Sequence, residues 1–94
     1  MSVAQVLNTS GGNPAEPPPP EAQAMAEATK ALDGCEHIYV LGNTSGGPGM
    51  AIIVWRDEVA MKAAADHIAA DNTKLQGMGL SVNPGNTYDT FTEL

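Results

Sequence analysis

The 94-residue chain predicts an α+β domain of order β-α-β-β-α-β, with a four-stranded antiparallel sheet and two helices on one face. Three observations carry this. Met50–Trp55 has no charged residue and holds the β-branched Ile52, Ile53 and Val54, so it reads as a strand buried on both faces. Asp57 follows at a helix N-cap position, and Glu58 adds negative charge to the first turn. Two stretches with helical periodicity alternate with short β-type runs, and glycine or proline punctuates the joins.

Taken in order, Val3–Leu7 is a short apolar run and the first strand, ended by Asn8-Thr9-Ser10-Gly11-Gly12. A Pro-rich loop over 13–20 follows, and its run Pro17–Pro20 favours a stiff polyproline II spacer. Glu21–Asp33 is the first helix. Ala22, Met25, Thr29 and Leu32 recur on one stripe, Pro20 suits the start and Gly34 the end. His37–Leu41 is the second strand, and Gly42–Gly49 is a long turn into Met50–Trp55. The second helix spans roughly Glu58 to Lys74, with Met61, Ala64, Ile68 and Leu75 on one stripe. Gln76–Gly85 reads as a loop with a short apolar piece at Leu80–Val82, and Tyr88–Leu94 alternates as the final strand. The pentapeptide Asn-Thr-Ser-Gly-Gly occurs at Asn8–Gly12 and Asn43–Gly47, where shared turn chemistry explains it better than duplication. Neither copy has the lysine of a phosphate loop. Residues 1–94 thus make a single domain with the split β-α-β, ferredoxin-like arrangement.

Composition narrows the function. A formal net charge of −7 with only Lys30, Arg56, Lys62 and Lys74 as fixed cations argues against nucleic acid, anionic membranes and polyphosphates. No basic segment precedes an apolar N-terminal run and no apolar stretch approaches ~18 residues, so neither secretion nor membrane spanning is expected. The single Cys35 fits a reducing cytoplasm. Hydrophobic residues are 43% of the chain but aromatic ones only 4%, which makes a thin core that a second subunit would complete. The strand pattern says the same. Met50, Ile52 and Val54 oppose Ala51, Ile53 and Trp55; Ala4 and Val6 oppose Val3 and Leu7; Tyr39 and Leu41 oppose Ile38 and Val40. Both faces of the sheet are apolar, two helices cover one, and a second copy packed sheet to sheet is the economical cover for the other.

Two segments then carry a family likeness. Leu32-Asp33-Gly34-Cys35 stands where a Pro-Gly-aromatic segment precedes strand two, and keeps the glycine. Trp55-Arg56-Asp57-Glu58-Val59-Ala60-Met61 stands where Trp-x-Ser-x-x-Ala-aromatic turns strand three into helix two. It keeps the tryptophan and alanine, with Asp57 as the N-cap and Met61 for the aromatic. With these residues the chain resembles the antibiotic-biosynthesis-monooxygenase-like family. The resemblance implies a homodimeric α+β barrel with ligands between the sheet and the helices. It implies oxidation of polycyclic phenols without a cofactor, degradation of haem, or, as for many members, a role that the resemblance does not name. For the haem degraders it implies a strand-one asparagine, matched by Asn8, with a helix tryptophan and a histidine whose places hold Ala64 and a position near Lys74. For the phenol oxidisers it implies companions of the corner tryptophan at the places of Ala51 and Met61.

The residues themselves give the candidate site. Trp55 is either a core anchor for helix two or a pocket wall with an oriented indole donor. His67, beside Ile68 and between Asp66 and Asp71, is a surface residue, a general base near neutral pH, or a haem ligand. Asn8 joins them through its family position and otherwise makes a turn. Tyr39 and Tyr88 supply interface area or a phenol, and Met25 and Met61 are core filler or thioether contacts to a flat guest. His67 and Asp71 have the i, i+4 spacing of metal ligands but lack a third partner. His37 fits an interface or edge, and acidic Asp33 and Glu36 keep Cys35 from being a nucleophile. The expectation is a homodimer that binds a small aromatic ligand with no metal or organic cofactor, haem being the alternative, and that acts either as a monooxygenase or as a non-catalytic binding dimer.

Overall fold

A computed structural model of the chain describes residues 2–10, 20–45 and 48–89. The elements are β1 (Val3–Ser10), α1 (Pro20–Lys30), β2 (Cys35–Leu41), β3 (Gly49–Trp55), α2 (Glu58–Ala63), α3 (Ala65–Gly77) and β4 (Ser81–Asp89). They form one antiparallel sheet in the order β2-β3-β1-β4, so the ferredoxin-like α+β arrangement holds. Pro14 and Pro17–Pro19 of the proline-rich loop, and the Thr90–Leu94 part of the expected last strand, lie outside the described residues. Pro20 opens α1, where its missing N–H costs nothing.

Alternation along the strands sorts the sheet into two faces. Val3, Gln5 and Leu7 of β1 stand beside Trp55, Ile53 and Ala51 of β3, and this face carries the buried core of Val3, Leu7, Ile53 and Trp55 under Ala60 and Ala64. Ala4, Val6 and Asn8 stand beside Val54, Ile52 and Met50, and His37, Tyr39 and Leu41 of β2 continue that second face. No described helix covers it. Tyr39 is 50% exposed, Leu41 43% and Tyr88 52%.

Three local readings are corrected. The second helix is two, broken at Ala64, whose φ of −90° and ψ of 0° leave the helical region. Its N–H is shared between the carbonyls of Ala60 and Met61 at 3.3 and 3.2 Å, which tightens that turn, and Ile68 N–H resumes the ladder onto Ala64. The last strand begins at Ser81, well before Tyr88, because it pairs only with β1 and tolerates Pro84 at an edge. A bulge between Gln5 and Leu7 absorbs the extra residues, and a Cβ at Gly85 would stand 2.9 Å from the Val6 carbonyl oxygen. Asn8 makes no turn, since β1 runs through it to Ser10. In the second copy of the pentapeptide, Asn43 Oδ1 accepts from Ser45 N–H at 2.9 Å as an Asx turn. Asn8–Ser10 are strand whereas Asn43–Ser45 make a turn, because Asn8 and Thr9 have a partner strand on each side.

The strand-to-helix corner is as expected. Asp57 Oδ1 accepts from Ala60 N–H at 2.8 Å and caps α2.

Candidate functional site

Trp55 is 0% exposed on the helix-covered face, and its Nε1–H donates to Gln5 Oε1 at 3.0 Å. The indole is a donor only, so this contact fixes Gln5 with its oxygen inward. Trp55 therefore takes the core role, joining β3 to β1 beneath α2. Gln5 was absent from the candidates, although a glutamine alternating with Val3 and Leu7 on a covered face was the signal for it.

His67 lies in the contact of α3 with α1. Its Nε2 is 3.1 Å from Asp71 Oδ2 and 3.2 Å from Thr29 Oγ1. Thr29, on α1, is only 4% exposed; its hydroxyl also lies 3.0 Å from the Met25 carbonyl oxygen and 3.4 Å from Asp71 Oδ2. The His67 and Asp71 side chains keep 32% and 16% of their exposure, so the ring is held at a half-buried border. The helical stripes explain the meeting. Thr29 occupies the apolar stripe of α1, and His67 borders that of α3 one turn from Asp71. Thr29 is the second member that was missed, legible only as the polar residue among Ala22, Met25 and Leu32.

The other candidates do not join this group. Asn8 and Tyr39 lie on the uncovered face of the sheet, and Tyr88 pairs with Ala4 of that face. His37 stacks on Tyr39 there, with centroids 6.1 Å apart. Met61 and Met25 are half-buried on the helices, and Thr87 Oγ1 lies 3.9 Å from Met61 Sδ. Tyr39, Tyr88, Met25 and Met61 are thus divided between the two faces of the sheet. Cys35 is buried, and burial is the main cause holding its thiol above the ordinary value; Glu36 adds to the rise and Lys30 opposes it. Among the described residues no group of three or more His, Cys, Asp or Glu side chains is arranged to hold a metal ion. An open depression of about 280 Å³ by the β2–β3 turn is lined by Leu41, Asn43, Thr44 and Met50 with the turn backbone.

No protein-family model matches the chain, and no curated protein resembles it in sequence. Solved structures do match. SnoaB, a cofactor-independent oxygenase from Streptomyces nogalater, superposes with a TM-score of 0.61, and a single-residue variant of it with 0.66. Each is 19% identical, over 99% of this chain and 96% of the other. A candidate antibiotic biosynthesis monooxygenase from Deinococcus radiodurans gives 0.57 at 20% identity, over 100% and 96%. The chain shares the fold of these proteins.

The retained motif residues of that fold have structural work in this chain. Gly34 has φ +83°, its carbonyl accepts from Arg56 N–H at 2.6 Å, and a Cβ there would run into the Ala60 Cβ. Glycine, tryptophan and alanine together let the α1–β2 turn close over the β3–α2 corner. They specify the monooxygenase-like fold and leave its chemistry open. Haem, one group the resemblance implies, does not fit the residues present. The helix position that a tryptophan would fill is the buried Ala64, and no histidine stands at the place near Lys74.

Proposed function

We propose that the protein is a homodimer that binds a small aromatic ligand between its sheet and helices and oxidises it with molecular oxygen, without a metal or organic cofactor. The observation that carries this is the half-buried His67 braced by Asp71 and Thr29, on a fold shared with a cofactor-independent oxygenase. His67 is the general base. A phenol gives it the hydroxyl proton, and the electron-rich phenolate passes one electron to oxygen. The radical pair joins at the ring carbon para to the oxygen, and the peroxide takes a proton. Loss of water with the ring C–H hydrogen leaves a quinone. One oxygen atom enters the substrate, the other leaves as water, and all four electrons come from the ring. The protein's part is to orient the phenol and stabilise its deprotonated form.

The second copy covers the open face. Tyr39, Leu41, Met50 and Tyr88 are exposed on that face around the half-buried Ile52, and a contiguous exposed apolar patch marks an interaction surface. In this reading Tyr39, Tyr88 and Asn8 belong to the dimer interface, while Met61 and Met25 flank the ligand. Trp55 holds the floor through Gln5. No described helix is long and apolar enough to cross a membrane, and the reducing cytoplasm suits the buried thiol.

Oxygen uptake with a panel of polycyclic phenols that have a free C–H para to the hydroxyl, with hydrogen peroxide measured alongside, tests the activity. The expected result is one O₂ per quinone formed with no hydrogen peroxide released, lost in His67→Ala. An aromatic ligand that binds the dimer without oxygen uptake overturns the oxygenase and leaves a non-catalytic binding dimer.

A further inference from the structure

The contacts around His67 fix which of its nitrogens can act, and this inference rests on the reading of His67 as the base. Nε2 faces two oxygens, Asp71 Oδ2 at 3.1 Å and Thr29 Oγ1 at 3.2 Å. Asp71 as a carboxylate can only accept. An unprotonated Nε2 would set its lone pair against that oxygen, a repulsive contact at this distance. The Thr29 hydroxyl has one proton and two neighbours that can only accept, the Met25 carbonyl at 3.0 Å one helical turn back and, farther off, Asp71 Oδ2 at 3.4 Å. With its proton on Met25, Thr29 offers a lone pair to His67. Both neighbours therefore demand a proton on Nε2, and in the neutral ring Nδ1 is left with the lone pair.

We propose that Asp71 and Thr29 are positioning residues that lock His67 in the Nε2–H tautomer, so that Nδ1 is the atom that takes the substrate proton. Two helices are needed to build the lock. Asp71 sits one turn along α3 from His67, and Thr29 is brought by α1. Asp71 orients the ring and stabilises the imidazolium once the proton has moved. Thr29 holds the ring plane from the other side, and it can do so because it is buried and tied to its own helix backbone. A base with a fixed tautomer and ring plane loses no time in the wrong state, which is the general advantage of a carboxylate behind a catalytic histidine.

Nitrogen NMR of the ¹⁵N-histidine-labelled full chain tests this, at about pH 8.5 where an ordinary imidazole is neutral. The His67→Gln spectrum assigns the signals. The expected spectrum shows Nε2 as a protonated, pyrrole-type nitrogen and Nδ1 as a pyridine-type one, with a single tautomer populated. In Asp71→Asn the ring should relax towards the mixture shown by the urea-unfolded chain, and Thr29→Val should do so in part, while Thr29→Ser keeps the wild-type spectrum. An Nδ1–H tautomer in the wild type, a wild-type mixture equal to that of the unfolded chain, or an unchanged spectrum in Asp71→Asn overturns the proposal. The spectrum needs no substrate, so a failed tautomer lock and a missing oxygenase activity are told apart. Where turnover is present, Thr29→Val is expected to lower kcat about tenfold with KM unchanged. A change confined to KM would overturn the positioning role.

Discussion

Trp55→Phe separates a core tryptophan from a catalytic one. The substitution keeps a ring in the same place but removes the indole N–H, so Gln5 Oε1 loses its partner at 3.0 Å. An orphaned buried acceptor costs about 1–3 kcal/mol, and the half-buried Gln5 belongs at the lower end because water can reach part of it. The volume lost is about 40 Å³, worth about 1 kcal/mol more at ~24 cal/mol per Å³ of cavity. The expected loss is about 2 kcal/mol, a drop in Tm of about 10 °C for a domain of this size. Urea unfolding at fixed protein concentration measures it, since a dimer's stability depends on that concentration. The double variant Trp55→Phe/Gln5→Leu is the sharper test. Replacing both partners by apolar groups removes the orphan, so the double variant should be more stable than Trp55→Phe alone. kcat/KM of the folded variant should stay within about twofold of wild type. A stability unchanged to within ~0.5 kcal/mol, with turnover lost, would refute the reasoning and return Trp55 to the mechanism.

Gly34→Ala combines a left-handed backbone with a Cβ driven into Ala60, and should cost about 2–4 kcal/mol in urea unfolding. Adding Ala60→Gly should recover the steric part while leaving the backbone part. Ile52→Lys places a charge in the middle of the open face, beside Tyr39 and Val6, and should halve the light-scattering mass from twice 9.7 kDa to one chain. An unchanged mass would remove the face-to-face dimer. The raised pKa of Cys35 has a defined sign. The native thiol keeps its proton where the unfolded one has lost it, so its contribution is intact below the unfolded pKa and lost as pH rises from there. The urea midpoint should therefore fall above about pH 8.5, and fall less steeply in Cys35→Ala.

Most of the fold was legible because it follows from period and punctuation. The continuous apolar run of β3, the Asp57 cap and the two helical stripes are each strong signals, and all four strands and the helical segments are present. What was misplaced depended on partners. Pro84 and Gly85 are loop residues by propensity, yet they lie in β4 because an edge strand needs hydrogen bonds on one side only and a bulge at Val6 takes up the mismatch. Asn8 extends β1 because it has both Met50 and Asn83 across from it. The break at Ala64 has no sequence mark, alanine being the best helix former.

The site was less legible than the fold, and the reason lies in how its members come together. His67 and Asp71 share one helix, so their i, i+4 spacing was readable. Thr29 and His67 are 38 positions apart and meet only because α1 and α3 pack side by side. Gln5 and Trp55 are 50 apart and meet across two strands. In both pairs the sequence holds one conspicuous residue, an imidazole or an indole, and one plain polar residue on an otherwise apolar stripe. The conspicuous member invites a functional reading by itself, but its partner decides the role. Gln5 takes up the only hydrogen-bonding atom of the Trp55 side chain and ties it into the core. Thr29 and Asp71 both contact the same nitrogen of His67, and the proposed tautomer lock rests on that pair of contacts. A plain polar residue at a buried stripe position is therefore the mark to look for. Its hydrogen-bonding capacity is costly to bury unmet; the distant indole meets Gln5, while Thr29 has both the Met25 carbonyl of its own helix and the distant imidazole.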